Sequence, residues 1–280
     1  MRVAVTGGGG QVAAALRLTQ PPHAQAHYLT RGDLDITDSV AVATHPALDV
    51  DVIINAAAYT AVDDAERGAE VAQAVNAAAP GFLAQRGPYL VQLSTDYVFG
   101  GNLRRPLRID DPTSPTTVYG ATKLAGERAA LAASNNVAVV RTAWVYSGNT
   151  LPEHTCFVST MLRLAAAGDG EIRVVDDQIG SPTYALDLAR GLWELAESRA
   201  TGVLHAVGAG QASWWEVARE TFAAAGEDPN RVLACSSEDF PRPAARPAWS
   251  VLDTSSWTAA GLCPLPAWQT GVARATMARI

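Results

Sequence analysis

The sequence predicts an α/β fold, a doubly wound parallel sheet with a smaller C-terminal lobe, and three observations carry that reading. Short apolar runs alternate with helical segments through the first half of the chain. Four consecutive glycines, Gly7 to Gly10, join the first apolar run to the first helix. Tyr119 and Lys123 stand four residues apart, and Lys123 is the only lysine among 21 basic residues.

Taken in order, residues 2–6 are a short strand, and residues 11–16 begin a helix with Val12 and Leu16 on one face. Strand, glycine turn and helix start are the setting of a phosphate loop of the form G-x-x-G-x-x-[G/A], here Gly7, Gly10 and Ala13. Glycines admit the backbone to a pyrophosphate, and the helix N-terminus offers free N–H groups and the positive end of its dipole. A glycine run can also be a loose linker, but linkers do not sit between a strand and a helix so early in a domain. Residues 27–30 make the second strand, and Arg31 follows it, near where a ribose 2′ position is read. An acidic residue there favours NAD; Arg31 suits the 2′-phosphate of NADP, or is a solvated loop residue. Asp35 and Ile36 could line an adenine pocket, or the aspartates of 33–38 could serve only to cap the next helix, with Thr37 or Asp38 at its N-cap.

Residues 52–55 read as a strand buried on both faces, ending in Ala56, Ala57 and Ala58. Residues 89–93 are the next strand and run into Ser94, Thr95 and Asp96; a hydroxyl at the carboxyl end of a central strand is where open α/β sheets place their chemistry. A further strand, 137–140, leads into Arg141 to Tyr146. Beyond it, 157–164 is helical with Met161 in the core, and 172–175 is extended. Residues 184–197 return as a helix whose Leu188, Leu192 and Leu195 cover the sheet, and 202–206 add a strand, with His205 structural. The remainder, with Trp214, Trp215, Phe240 and several prolines, suits a smaller lobe. There Arg242 and Arg246 offer paired donors for a pyrophosphate, or are merely solvated.

On a helix, residues four apart share a face, so the phenol of Tyr119 and the ammonium of Lys123 can share one site. A phenol titrates near ~10 when unperturbed, and a neighbouring cation favours its anion, so such a tyrosine can exchange a proton with a carbinol oxygen. A compact lysine serves this better than the fixed fork of arginine. A solvated lysine on a surface helix is the alternative. Composition narrows the rest. The chain has 280 residues, 48% of them hydrophobic, enough for a full core, and a net charge of −7 without a basic run, so neither nucleic acid nor membrane is expected as a partner. Three cysteines without metal-type spacing suit a reducing cytoplasm, and no His, Asp or Glu spacing suggests a catalytic metal. No run approaches the ~18 apolar residues of a membrane helix, and the N-terminus enters a strand with no room for a signal peptide, so a cytoplasmic location is expected.

On these residues the chain resembles the extended short-chain dehydrogenases/reductases and, within them, the dTDP-4-dehydrorhamnose reductase family. The matching stretches are Thr6 to Gln11, Ala57 to Asp63, Ser94 to Phe99, Tyr119 to Lys123, Arg141 to Tyr146, Val174 to Thr183, and Arg246, Pro247, Ser250, Leu252 and Asp253. Ser-Thr-Asp-Tyr-Val-Phe and Asp-Asp-Gln-x-Gly-Ser-Pro-Thr are the specific ones; the phosphate loop and the Tyr/Lys pair are general to the superfamily. The resemblance implies a Rossmann-like dinucleotide-binding domain, 1–148 with 184–206, and a substrate-binding lobe, 149–183 with 207–280. It implies NADPH or NADH as cofactor, contacted by Gly7, Gly10, Gln11, Val12, Arg31, Asp35, Ile36, Ala57, Ala58, Tyr59, Tyr119 and Lys123. It implies hydride transfer to the C4 ketone of a dTDP-4-dehydro-L-rhamnose substrate. In that reaction Tyr119 is the proton donor, Lys123 lowers its pKa and holds the nicotinamide ribose, and Thr95 donates to the carbonyl oxygen. Asp96, Trp144 and Arg246 join Thr95 and Tyr119 in contacting substrate. The alternatives are a nucleotide-sugar epimerase or dehydratase, and a dinucleotide-binding regulatory subunit like that of methionine adenosyltransferase.

Three departures from the family pattern accompany it. The segment between Asn76 and Ser94 is about one helical turn short. The first helix carries Ala13, Ala14 and Ala15 where a magnesium-bridged dimer would need a glutamate, so a monomer or weak homodimer is expected. The loop from Ser147 to Cys156 is atypical.

Overall fold

The computed structural model describes residues 1–277. Its centre is a six-stranded, wholly parallel sheet. β1 (Arg2–Thr6) lies between β2 (Gln25–Leu29) and β3 (Val52–Asn55); β4 (Tyr89–Thr95), β5 (Val137–Thr142) and the strand Gly202–His205 continue the sheet beyond β3. The winding reverses between β1 and β3, so a crevice opens outside the carboxyl ends of those two strands.

Side-chain alternation explains why the strands read as continuous apolar runs. Val3 and Val5 of β1, Val52 and Ile54 of β3, Val91 of β4 and Val140 of β5 face one layer, with Leu16 of α1 (Gln11–Leu18) and with Leu188, Leu192 and Trp193 of a later helix. Ala4, Ile53, Leu90 and Val139 face the opposite layer, against Val42 of α2 (Ser39–Thr44). Successive strand residues point to opposite faces, and here both faces are covered. β2 begins and ends earlier than residues 27–30. Thr30 has left the strand, and its N–H and hydroxyl donate to Asp33 Oδ2 at 2.9 and 2.7 Å. Of the two candidate caps for α2 it is Asp38 that serves, accepting from the N–H groups of Val40 and Ala41.

Between β3 and β4 run three helical pieces, α3 (Val62–Ala65), α4 (Ala69–Ala72) and α5 (Ala79–Gln85), the last two joined through a π-helical turn, Gln73–Ala78. The turn runs without a break from α4 into α5. Such turns gather at functional sites because they re-aim one side chain. Here that side chain is Asn76, buried, whose Oδ1 accepts from Tyr59 N at 2.9 Å. Its Nδ2 donates to Tyr59 O at 3.0 Å and to Thr122 Oγ1 at 3.3 Å. The stretch after β3 is thereby tied to α6 (Val118–Ala133).

α6 starts at Thr117, whose hydroxyl accepts from Gly120 N at 3.0 Å. Gly120 lies against the turn after β4: a Cβ at this position would stand 2.2 Å from the Tyr97 carbonyl oxygen. Glycine therefore sets how closely the helix that carries Tyr119 and Lys123 approaches the strand that carries Thr95.

After β5 come α7 (Phe157–Ala166), α8 (Ala185–Ser198), which supplies the leucines facing β1, and α9 (Trp214–Ala224). The expected strand at 172–175 forms, but pairs in parallel with Val232–Cys235 away from the central sheet; around that pair, α7 and α9 bury Met161, Val174 and Phe222. α9 opens on a reciprocal cap, with Ser213 Oγ accepting from Glu216 N at 3.1 Å and Glu216 Oε2 from Ser213 N at 2.7 Å. The Ser-x-x-Glu at 213–216 is the sequence signature of that start, within a region that reads only as mixed structure. Among the described residues no helix is long and apolar enough to cross a membrane.

Overpacking predicts a measurable contrast between two glycines. Gly120→Ala should lower stability by about 1–3 kcal/mol in urea denaturation, whereas Gly9→Ala, which meets nothing within 4 Å, should stay within about 0.5 kcal/mol of the parent. Equal midpoints for the two would show that α6 does not depend on the Tyr97 contact.

Candidate active site

Two cavities meet in the crevice. One, of about 620 Å³, lies between the start of α1 (Gly10, Gln11, Val12), the end of β4 (Thr95, Asp96), Tyr119 and Lys123 of α6, and the rings of Trp144 and Trp214. The other, of about 390 Å³, runs from Gly7 past Ala57 and Tyr59 to Arg31, Asp35 and Ile36, with Val71 and Val75 as an apolar wall. Gly10, Ala56 and Ala58 line both and form the sill between them. Gly7 makes the approach possible: its φ is +72°, and a Cβ there would stand 2.6 Å from Ala57 N. The residues expected to touch a dinucleotide thus follow one cleft across the sheet edge. Within it, Arg31 pairs with Asp35 at 3.5 Å and is largely exposed, while Asp35 Oδ1 accepts from Thr37 N and Oγ1. Gln11 has its amide engaged, Nε2 donating to Ser147 Oγ at 2.8 Å.

The chemical end of the cleft is more enclosed. Lys123 is buried and its Nζ donates to the Leu93 carbonyl at 2.7 Å; burial pushes the ammonium down to about 8, and the carboxylate of Glu127 opposes that shift. The phenol of Tyr119 sits edge-on to Tyr97, ring centroids 5.6 Å apart. Burial pushes it up to about 12, the Thr95 hydroxyl pulling against that. The expected lowering of the phenol by Lys123 therefore does not hold: desolvation of the hydroxyl raises it, and the ammonium is turned to the Leu93 carbonyl. Thr95 Oγ1 donates to Asp96 Oδ1 at 3.0 Å and accepts from Tyr97 N at 3.2 Å. Asp96 is 2% exposed, its Oδ2 has no hydrogen-bond partner among the described residues, and burial pushes its carboxyl up to about 6.

Trp144 adopts a left-handed backbone, φ +48°, a conformation that costs about 1–3 kcal/mol for a residue with a side chain. Its ring stacks on Trp214, centroids 3.6 Å apart and planes 5° from parallel, and lies over Gly180, where a Cβ would come within 2.4 Å of the indole. Trp214 was not among the expected site residues; its place directly after the Ser213 cap is the one local sign of it. Arg246 stands apart from the cleft. Its Nη1 and Nη2 donate to Asp63 Oδ1 and Oδ2 at 3.0 and 2.9 Å, and it lines a third cavity of about 430 Å³ with Phe157, Met161, Phe240 and Arg242. Trp214 borders that cavity as well as the first. His205 is buried, with Nδ1 3.0 Å from the Asp253 carbonyl, and is pushed down to about 4 chiefly by burial, so it is neutral at pH 7. Among the described residues no group of three or more His, Cys, Asp or Glu is placed to hold a metal ion.

Comparison with known proteins gives the family of the chain. The family model described as RmlD substrate binding domain matches residues 1–279. A dTDP-4-dehydrorhamnose reductase of Mycolicibacterium smegmatis is 48% identical, covering 96% of this chain and 83% of the relative. One from Mycobacterium tuberculosis is 46% identical over 99% of this chain and 93% of its own. Among solved structures, the dTDP-4-dehydrorhamnose reductase of Bacillus anthracis in complex with NADP superposes with a TM-score of 0.91 at 35% identity, covering 98% of this chain and 97% of that one.

The buried carboxyl of Asp96, partnered at Oδ1 only, carries a stability consequence of definite sign. Its raised pKa means that the folded state binds the proton more tightly than the unfolded state, so stability falls as pH rises from about 4 to about 6 and stays at the lower level above that. Asp96→Asn should be more stable than the parent at pH 7.5 by up to about 3 kcal/mol, the gap closing as pH falls from about 6 to about 4. A difference independent of pH in thermal melts would remove the charge as its cause.

Proposed function

Because the chain belongs to the RmlD substrate-binding-domain family, we propose that it is a dTDP-4-dehydrorhamnose reductase, reducing the C4 ketone of dTDP-4-dehydro-L-rhamnose to dTDP-L-rhamnose with NADPH or NADH. The observation that supports it best is the meeting of Thr95, Tyr119 and Lys123 at one end of a cleft whose other end suits an adenosine. The glycine turn fits a dinucleotide, since Gly7 lets the loop close against the Ala56–Ala57 backbone, where a side chain would clash, and nothing stands within 4 Å of where a Cβ on Gly9 would be. The bound dinucleotide supplies the hydride.

The chain's residues do the rest. The Gly7–Gly10 loop and the start of α1 hold the pyrophosphate with backbone N–H groups. Arg31 faces the 2′ position and favours a phosphate there, while Ile36, Ala57 and Tyr59 border the adenosine. Tyr119 is protonated at neutral pH, as a phenol near its ordinary value of ~10 already would be and as burial reinforces, so it is in the right state to give a proton to the developing alkoxide. Thr95 turns its hydroxyl from Asp96 to the ketone oxygen, where charge forms. Lys123 holds the nicotinamide ribose. Trp144 borders the sugar, and the third cavity, with Arg242 and Arg246 beside Phe157 and Trp214, suits the thymidine diphosphate.

Two substitutions divide these roles. Tyr119→Phe should leave NADPH affinity, read by fluorescence titration, nearly unchanged while cutting turnover by roughly 10²–10⁴-fold; full turnover in that variant would take Tyr119 out of the reaction. Arg31→Ala should weaken NADPH by about tenfold and spare NADH, and equal losses for the two cofactors would place the 2′-phosphate elsewhere. The reaction itself is tested by supplying purified protein with the dTDP-4-keto-6-deoxy sugar, with and without the epimerase that forms the L-lyxo ketone. NADPH consumption confined to the epimerised ketone is the expected result.

A further inference from the structure

Glu127 stands one turn beyond Lys123, so that Tyr119, Lys123 and Glu127 form a stripe along α6 at four-residue spacing. The Glu127 carboxylate is 3% exposed and held from two sides: Arg141 Nε and Nη2 donate to its two oxygens at 3.0 and 2.8 Å, and Ser94 Oγ donates to Oε1. Arg141, on β5, is as deeply buried and lies 5.0 Å over the Phe99 ring. α6 is therefore fastened to two consecutive residues of β4, to Leu93 through Lys123 and to Ser94 through Glu127, and Thr95 follows directly.

A buried ion pair is a weak source of stability, because desolvating both ions offsets most of their attraction and apolar residues of like volume do as well. An apolar pair would hold the helix on the sheet. What it would lack is a negative charge close to a buried ammonium. We propose that Glu127 is a positioning residue for the reduction: clamped by Arg141 and Ser94 one turn along α6 from Lys123, and not ion-paired with it, it supplies the negative charge that keeps the buried ammonium charged at the Leu93 carbonyl. The consequence for turnover rests on the reductase reading; the electrostatic part does not. The other charged or titratable groups around Lys123 are Tyr119 on its own helix, Asp96 and Tyr97 on the turn after β4, Glu153 and His154 on the opposite cavity wall, and Arg141 behind Glu127. Burial pushes Asp96 up to about 6 and raises both tyrosines, so none of these three changes charge near the value of about 8 to which Lys123 is pushed.

Lys123 is the only lysine in the chain, so protein labelled with lysine carrying carbon-13 at the ε position gives one side-chain signal whose titration belongs to this residue. The double variant Glu127→Gln/Arg141→Met removes both buried charges at once and leaves neither unpaired. Its lysine midpoint should fall by about one pH unit, and the pH above which kcat/KM declines should fall with it, since the ammonium is present only below its pKa. Ser94→Ala, which frees the carboxylate without removing a charge, should shift both by less and in the same direction. An unmoved lysine midpoint in Ser94→Ala and in the folded double variant would overturn the proposal and leave Glu127 as a fastener only. Should the double variant not fold, an unmoved midpoint in Ser94→Ala overturns it alone. A lysine signal that moves as expected in a protein that never consumes NADPH would instead defeat the reductase reading and leave this one standing.

Discussion

The burial of one ammonium against one carbonyl governs how the functional half of this molecule is assembled. Taking a charged lysine out of water costs several kcal/mol unless its protons and its charge are met. Leu93 O meets one of the Lys123 protons, and Glu127 supplies opposite charge one turn away. The Lys123–Leu93 and Ser94–Glu127 hydrogen bonds fix α6 along β4, Gly120 fixes how near it lies, and Asn76 fastens its other side to the stretch that follows β3. Tyr119 comes to Thr95 as a result of these constraints, without a contact of its own being needed to bring it there.

The crevice is held by a second, quieter device. Thr6 Oγ1 donates to Asn55 Oδ1, Asn55 Nδ2 to Gln92 Oε1 at 2.7 Å, and Gln92 Nε2 to the Leu93 carbonyl at 2.7 Å. These buried polar side chains link the carboxyl ends of β1, β3 and β4 where the winding reverses. Fully satisfied buried networks of this kind favour a single arrangement, so the sill of Gly10, Ala56 and Ala58 rests on aligned strand ends. Asp49 and Arg86, by contrast, pair at the surface at the far end of the same strands, where an ion pair contributes little.

Much of this was legible before any coordinates. The strands announced themselves because a sheet covered on both faces demands unbroken apolar runs. The phosphate loop was legible because four glycines between a strand and a helix have few other uses. Tyr119 and Lys123 stood out because this chain otherwise uses arginine. What could not be read depends on distance through space. Asp63 and Arg246 lie far apart in sequence and meet only in the fold, Trp214 enters the cleft because α9 packs where it does, and the π turn at Asn76 arises from tertiary hydrogen bonds that no local preference encodes. The direction of the Tyr119 shift was missed for the same reason: the neighbouring cation was visible in the sequence, and the depth of burial was not.

Trp144 and Gly180 hold a further implication. The indole occupies the volume that any side chain at 180 would need, and the strained backbone at 144 is sustained by that seat together with the stack on Trp214. Neither position can therefore drift alone among descendants of this chain. A larger residue at 180 becomes tolerable only after 144 has shrunk, and a shrunken 144 forfeits the ring that justified its backbone. Change at one position therefore calls for change at the other, and breaking the pair redraws the wall that Trp144 gives the larger cavity.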